Sequence, residues 1–150
     1  MRILMRAGGL VLAAGVMLTV SALAYANDVL ITEDEAKLPL PKESSEKTRG
    51  ITRGPRIEYL ADGSGARSPI HFRVKFQSFG GARIDTESLK VTYVKDPTVD
   101  LTPRLKRFTQ PTGIDMPNAV LPVGDHILRI DLKDSEGRIT ATSFTLKIVP

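Results

Sequence analysis

The chain has 150 residues with no cysteine and no tryptophan, which leaves room for one domain and removes both a disulfide framework and a thiolate site. Only two histidines are present, so few residues are available for transition-metal binding or histidine-based catalysis. The formal charge is +4, from 21 basic and 17 acidic residues.

At the N-terminus, Arg2 and Arg6 precede an uncharged apolar run over 7–20 and the small-residue pattern Ala24-Tyr25-Ala26. This is the pattern of a secretory signal peptide, 1–26, cleaved after Ala26. The apolar run is shorter than the roughly 20 residues a spanning helix needs, and no basic stop-transfer cluster follows, so no membrane span is expected after cleavage. No cysteine follows to carry a lipid. Cleavage removes two arginines and no acid, which leaves 19 basic against 17 acidic residues, a net of +2. The expected location is periplasmic or secreted.

Residues 27–53 read as a disordered leader and linker. Asp28, Glu33, Asp34 and Glu35 make its start acidic, Leu38-Pro39-Leu40-Pro41 favours an extended chain, and 42–49 is polar and charged. Val29-Leu30-Ile31 is an exception, an extended apolar triplet able to add to a neighbour's sheet edge. The plainer expectation is a frayed mature N-terminus.

From Gly54 onward turn signals recur every eight to a dozen residues, the spacing of an all-β sandwich. A short strand over 56–60 turns Ile57 and Tyr59 inward, and Asp62-Gly63-Ser64-Gly65 is a loop. The cleanest alternation is 70–76, with Ile70, Phe72, Val74 and Phe76 on one face and His71, Arg73 and Lys75 on the other. Gly80-Gly81 turns the chain into a strand carrying Leu89, Val91 and Tyr93, closed by Asp96-Pro97. A short strand is expected over 99–102, while 104–108 is too short for a convincing helix. A weak strand follows over 113–116, between Pro111 and Pro117. The last hairpin is the best marked: Leu128, Ile130 and Leu132 alternate over 126–133, Asp134-Ser135-Glu136-Gly137 turns, and Phe144, Leu146 and Ile148 alternate over 142–149. Its inward side chains need a second apolar sheet to cover them. About seven strands are therefore expected in one domain, 54–150.

The motif order resembles bacterial immunoglobulin-like domains (fibronectin type III/Ig-like β-sandwiches) of exported proteins. The resemblance is carried by Gly81-Ala82-Arg83-Ile84-Asp85, Ser88-Leu89-Lys90-Val91, Asp100-Leu101-Thr102 and Leu121-Pro122-Val123-Gly124-Asp125-His126. It continues through Asp131 and Asp134-Ser135-Glu136-Gly137 to Phe144-Thr145-Leu146-Lys147-Ile148. It implies an immunoglobulin-like antiparallel β-sandwich, and its motifs are structural rather than catalytic. The tryptophan and cysteine pair of the antibody core are missing. His126 stands where the family often places an aromatic hydroxyl, so Gly124, His126 and Gly137 are expected to be structural corner residues, with the His126 ring bonded to a carbonyl of the preceding loop.

The remaining candidates have ordinary explanations. His126 beside Asp125 is a base only if the corner role fails, and His71 lies on a solvated face. Ser64 between two glycines lacks the strand-to-helix elbow of a serine hydrolase. Asp131, Asp134 and Glu136 offer oxygen ligands to calcium, but the compact Asp-x-Asp-x-Asp-Gly spacing is absent and turn formation accounts for Asp134 and Gly137. No enzyme activity, cofactor or metal is expected. Residues 54–150 carry 14 basic and 11 acidic residues. Arg73 and Lys75 share a strand face, and Arg104, Lys106 and Arg107 cluster before Phe108, where they are candidate contacts for an anionic envelope polymer. Nucleic acid is not an expected partner of an exported protein with so few aromatics. The leading expectation is a non-enzymatic binding or structural module that engages another envelope or secreted protein through loops or a sheet edge. Polyanion binding is the alternative, and a hydrolase a distant one.

Overall fold

The structure, a computed structural model, describes residues 28–42, 53–61 and 65–150. The expected signal peptide, the charged run over 43–52 and Ser64 lie outside the described residues. The described chain is mostly strand and forms two sheets, as the alternating runs require.

The first sheet contains β1 (Asp28–Val29), β2 (Arg56–Tyr59), β3 (Ile70–Gln77), β6 (Thr109–Gln110) and β7 (Gly113–Val120). Its order is β1-β7-β3-β2, with β6 also paired to β7. The second holds β4 (Ile84–Tyr93), β5 (Val99–Asp100), β8 (Gly124–Asp134) and β9 (Ile139–Ile148), in the order β5-β4-β8-β9. β3 buries Ile70, Phe72, Val74 and Phe76, and β8 buries Leu128, Ile130 and Leu132, so both follow the period-two pattern. These side chains belong to one apolar core. At one side of that core β2 and β9 meet, where Tyr59 stacks on Phe144 with ring centroids 4.6 Å apart.

The β8–β9 turn is closed by the Asp134 amide donating to the Arg138 carbonyl at 3.0 Å and the Gly137 amide donating to the Asp134 carbonyl at 2.9 Å. Gly137 has φ +77°, the left-handed position that a glycine takes without strain.

Several elements differ from the sequence expectation. The described part of the leader, 28–42, is packed: β1 runs parallel to β7, Leu30 and Ile31 are fully buried, and α1 (Glu33–Lys37) follows. The physical reason is that the two sheets leave an apolar gap along the side where β7 and β5 end, and this segment covers it. Residues 104–108 belong to helical structure, α2 (Thr102–Leu105) and a 3-10 turn over Lys106–Phe108, started by Pro103 in the first turn. β7 does not stop at Pro117. Ile70 pairs with Ala119 and Phe72 with Met116, so two steps on β3 face three on β7, and the proline sits in that irregularity where no ladder donor is needed. The described residues of 54–150 form eight strands where about seven were expected, the addition being the two-residue β6 beside β7, and β1 in the leader makes nine.

Candidate functional site

The densest set of long-range polar contacts lies beneath residues 28–42, hereafter the strap. Thr32 caps α1: its hydroxyl accepts from the Glu35 amide at 3.2 Å, and the Glu35 carboxylate accepts from the Thr32 amide at 2.9 Å. This capping box fixes the Glu35 side chain so that it faces α2. There the Arg104 guanidinium donates to both carboxylate oxygens, at 2.6 and 2.8 Å, and to the Leu30 carbonyl at 2.8 Å. Lys95, almost fully buried, donates to the Ala36 and Leu38 carbonyls at 2.8 Å each, so one ammonium satisfies two acceptors at the end of α1. The Asp96 amide donates to the Pro39 carbonyl at 2.9 Å. The Lys95 ammonium also lies 5.3 Å from the centre of the Tyr93 ring.

Tyr93 continues the network inward. Its hydroxyl lies 2.9 Å from His126 Nδ1, and His126 Nε2 lies 2.8 Å from the Pro122 carbonyl. A carbonyl only accepts, so Nε2 is assigned the proton and donates, which leaves Nδ1 as acceptor for the Tyr93 hydroxyl. His126 is thus buried with both ring nitrogens partnered, and its carbonyl partner lies in the loop before it. Gly124 opens β8 and Gly137 lies in the turn that follows it.

Electrostatics match this geometry. The hydrogen bond from Arg104 holds Glu35 far below its ordinary 4.5, at about 2, against the opposing effect of burial and with help from Thr32. The same bond pushes Arg104 up. Burial raises Tyr93, and the Glu35 charge raises it further. A group whose folded pKa is depressed contributes stability above its unfolded pKa and loses it as pH falls through the folded value. The strap contact should therefore contribute fully above pH 4.5, lose its contribution progressively as pH falls from there, and contribute nothing below about 2. Following the Glu35 carboxyl by NMR through an acid titration checks this, and a midpoint at the ordinary value would separate Glu35 from Arg104.

The three basic residues line one groove, and each is also paired with a carboxylate. Arg104 turns under the strap, Arg107 pairs with Asp28, and Lys106 reaches Glu87 at 3.5 Å. One turn of helix followed by a 3-10 turn gives each of the three neighbouring side chains its own carboxylate. The groove, open and about 470 Å³, runs beside β1 and is lined by Val29, Arg104, Lys106, Arg107 and Met116, with Asp28 placing a carboxylate in it.

The acidic hairpin end is likewise internally occupied. The Asp134 Oδ1 accepts from the Glu136 and Arg138 amides at 3.0 Å each, and Oδ2 accepts from Arg138 Nε at 2.7 Å. Burial pushes this carboxyl up, but the Arg138 and Glu136 bonds outweigh it and leave it below the usual range. Asp131 pairs with Arg129 at 3.1 Å, and Glu136 with Arg138 at 3.1 Å. His71 is exposed and meets Asp115 at 2.7 Å across the β3–β7 face. Among the described residues no group of three or more metal-ligating side chains is assembled, and no helix is long and apolar enough to cross a membrane.

Sequence reasoning missed Glu35, Lys95 and Tyr93. One local signal pointed to the first: Thr32-x-x-Glu35 is the spacing of a capping box, which ties Glu35 to a helix start. Comparison with family models, curated proteins and solved structures finds no match to this chain.

Proposed function

We propose that this chain is an exported, non-enzymatic binding or structural module with an immunoglobulin-like β-sandwich fold. It engages another envelope or secreted protein by pairing that protein's extended segment with the outer edge of β9. The observation that carries this reading is the state of that edge. β9 is ten residues long and terminates its sheet. At its far end the Ala66 amide donates to the Lys147 carbonyl and the Val149 amide donates to the Ala66 carbonyl, so the odd-numbered residues of β9 aim their backbone outward. Ala141, Ser143 and Thr145 therefore present N–H and C=O groups on a side where, among the described residues, no strand is paired.

An open row of this kind is a template for strand addition, and charged side chains or proline are the usual guards. The stretch 139–146 has neither. Gly54 lies against Ile139 and Thr140 and Ala66 against Ile148, which frames a window of about five residues for the incoming strand. The signal-peptide pattern supports export, and the internal pairing of His126, Asp134 and Arg104 supports a module without catalysis.

The test is to recover what co-purifies with the protein from native envelope extract and repeat the capture with variants. Ser143→Pro removes one outward N–H and leaves the β8 ladder its bonds, so it should abolish capture. Lys106→Gln with Arg107→Gln should leave it intact at physiological salt. Arg104 is omitted because it holds the strap. Capture that survives Ser143→Pro but collapses with the double glutamine variant, and between about 0.01 M and 0.15 M salt, where the Debye length falls from about 30 to about 8 Å, would replace this reading with the polyanion one.

A further inference from the structure

The strap behaves as a ligand that happens to be covalently attached. Residues 28–39 lie in a slot made by β7, α2 and the segment after β4, and their contacts are those of a recognised peptide. Asp28 and Val29 add a parallel strand to Ala119 and Val120, and the Leu30 amide donates to the Val120 carbonyl at 2.9 Å. Leu30 and Ile31 fill the gap between the sheets. Arg104 reads a carboxylate at a fixed distance along the segment, and Lys95 reads the carbonyls that follow it. The slot thus selects an extended apolar pair followed by Thr-x-x-Glu, and the partner certain to carry that pattern in register is another copy of this chain.

We infer that the slot also accepts the strap of a second copy, so that two chains assemble by exchanging residues 28–42. Exchange replaces every contact of the strap by the identical contact in the partner, so the two arrangements differ chiefly by the entropy of association, and rising concentration favours the dimer. The covalent limit permits it. Eleven residue steps separate Lys42 from Arg53, a contour of at most about 36–40 Å, comparable with the width of a small domain. Residues 43–52 contain one large apolar side chain, Ile51, so the connection carries little that must be buried in either arrangement. This inference stands apart from the sheet-edge reading, because the slot lies beside β7 and β9 ends the other sheet.

Charge reversal tests it. Glu35→Arg sets two guanidiniums against each other, and Arg104→Glu sets two carboxylates, so each variant alone should lose strap docking, melt at a lower temperature and be cut readily within 28–52. The chain carrying both changes restores the pair within one molecule and should regain the melting temperature. An equimolar mixture of the single variants can restore the pairs only by exchange. Exchange sets the guanidinium introduced into one chain against the carboxylate introduced into the other, and brings the native Glu35 of the second chain to the native Arg104 of the first. The expected result is a one-to-one heterodimer, by light scattering and native mass spectrometry, with protease resistance recovered. A mixture that stays as two weakened monomers while the double variant recovers would overturn the inference.

A second measurement avoids reliance on the charge variants. The chain has no cysteine, and Val29 is the register partner of Val120. Mixing Val29→Cys with Val120→Cys at high protein concentration, with oxidised glutathione as oxidant, should yield the mixed disulfide between two chains, identified by mass. If Val29→Cys/Val120→Cys in one chain closes readily and the mixture gives no such product, the strap does not exchange.

Discussion

Replacing Phe72 by alanine should destabilise the protein by about 3–5 kcal/mol, the cost of removing a large core side chain with incomplete collapse around the cavity. Phe72 is fully buried in β3 and lies against Tyr59 at 5.9 Å and Phe144 at 6.3 Å between ring centres. It holds both sheets to one another, because Tyr59 belongs to the first and Phe144 to the second. A loss of this size is a large share of the about 5–15 kcal/mol typical of a whole domain. Alternation alone ranks Phe144 with Phe72, since both fall on inward positions. Burial separates them: Phe144 is only half-buried, near the side where β2 and β9 meet, so Phe144→Ala should cost less than Phe72→Ala. Lys147→Ala, on the exposed face of β9, should change stability by less than about 0.5 kcal/mol. Urea midpoints at constant m separate the three, and overlap between Phe72→Ala and Lys147→Ala would overturn the assigned register.

Legibility followed the range of the interactions. β3, β8 and β9 alternate over seven residues or more, and alternation reports burial directly, so their inward faces were readable, as was the turn at Gly137. The strap was not. An apolar triplet flanked by acids reads alike whether it is frayed or buried, and what decides it lies far away: Glu35 and Arg104 are 69 residues apart. Arg104, Lys106 and Arg107 were legible only in part. Closeness in sequence brings all three to one groove, but each also meets a carboxylate distant in sequence, Glu35, Glu87 or Asp28, which local reading does not reveal. Proline misled in one place and helped in another. Pro117 marks an irregularity inside β7 rather than its end, and Pro103 starts the short helix that a length criterion had dismissed.

Gly113→Ala should be the most damaging small substitution in the described chain. Gly113 opens β7 and is paired on both sides, to Lys75 of β3 and Gln110 of β6. It has φ +151°, and a Cβ built on it would overlap the Val74 carbonyl oxygen and fall 3.2 Å from the Lys75 Cα. The obstacle is backbone, so no rotamer change relieves it. Either β7 moves away from β3 or the residue rotates out of its conformation, and each route breaks ladder bonds at the centre of the first sheet. Holding a non-glycine residue in such a region costs on the order of 1–3 kcal/mol by itself. The overlap adds to this, so a total of at least about 3 kcal/mol is expected, comparable with Phe72→Ala although only one methyl group is added. Gly80→Ala is the informative control. It too has a positive φ, +66°, but nothing lies within 4 Å of its added Cβ, so it carries strain without overlap and should cost about 1–2 kcal/mol. Equal melting temperatures for the two variants would mean that conformation alone matters at Gly113 and that β3 and β7 are not held as closely as the ladder requires.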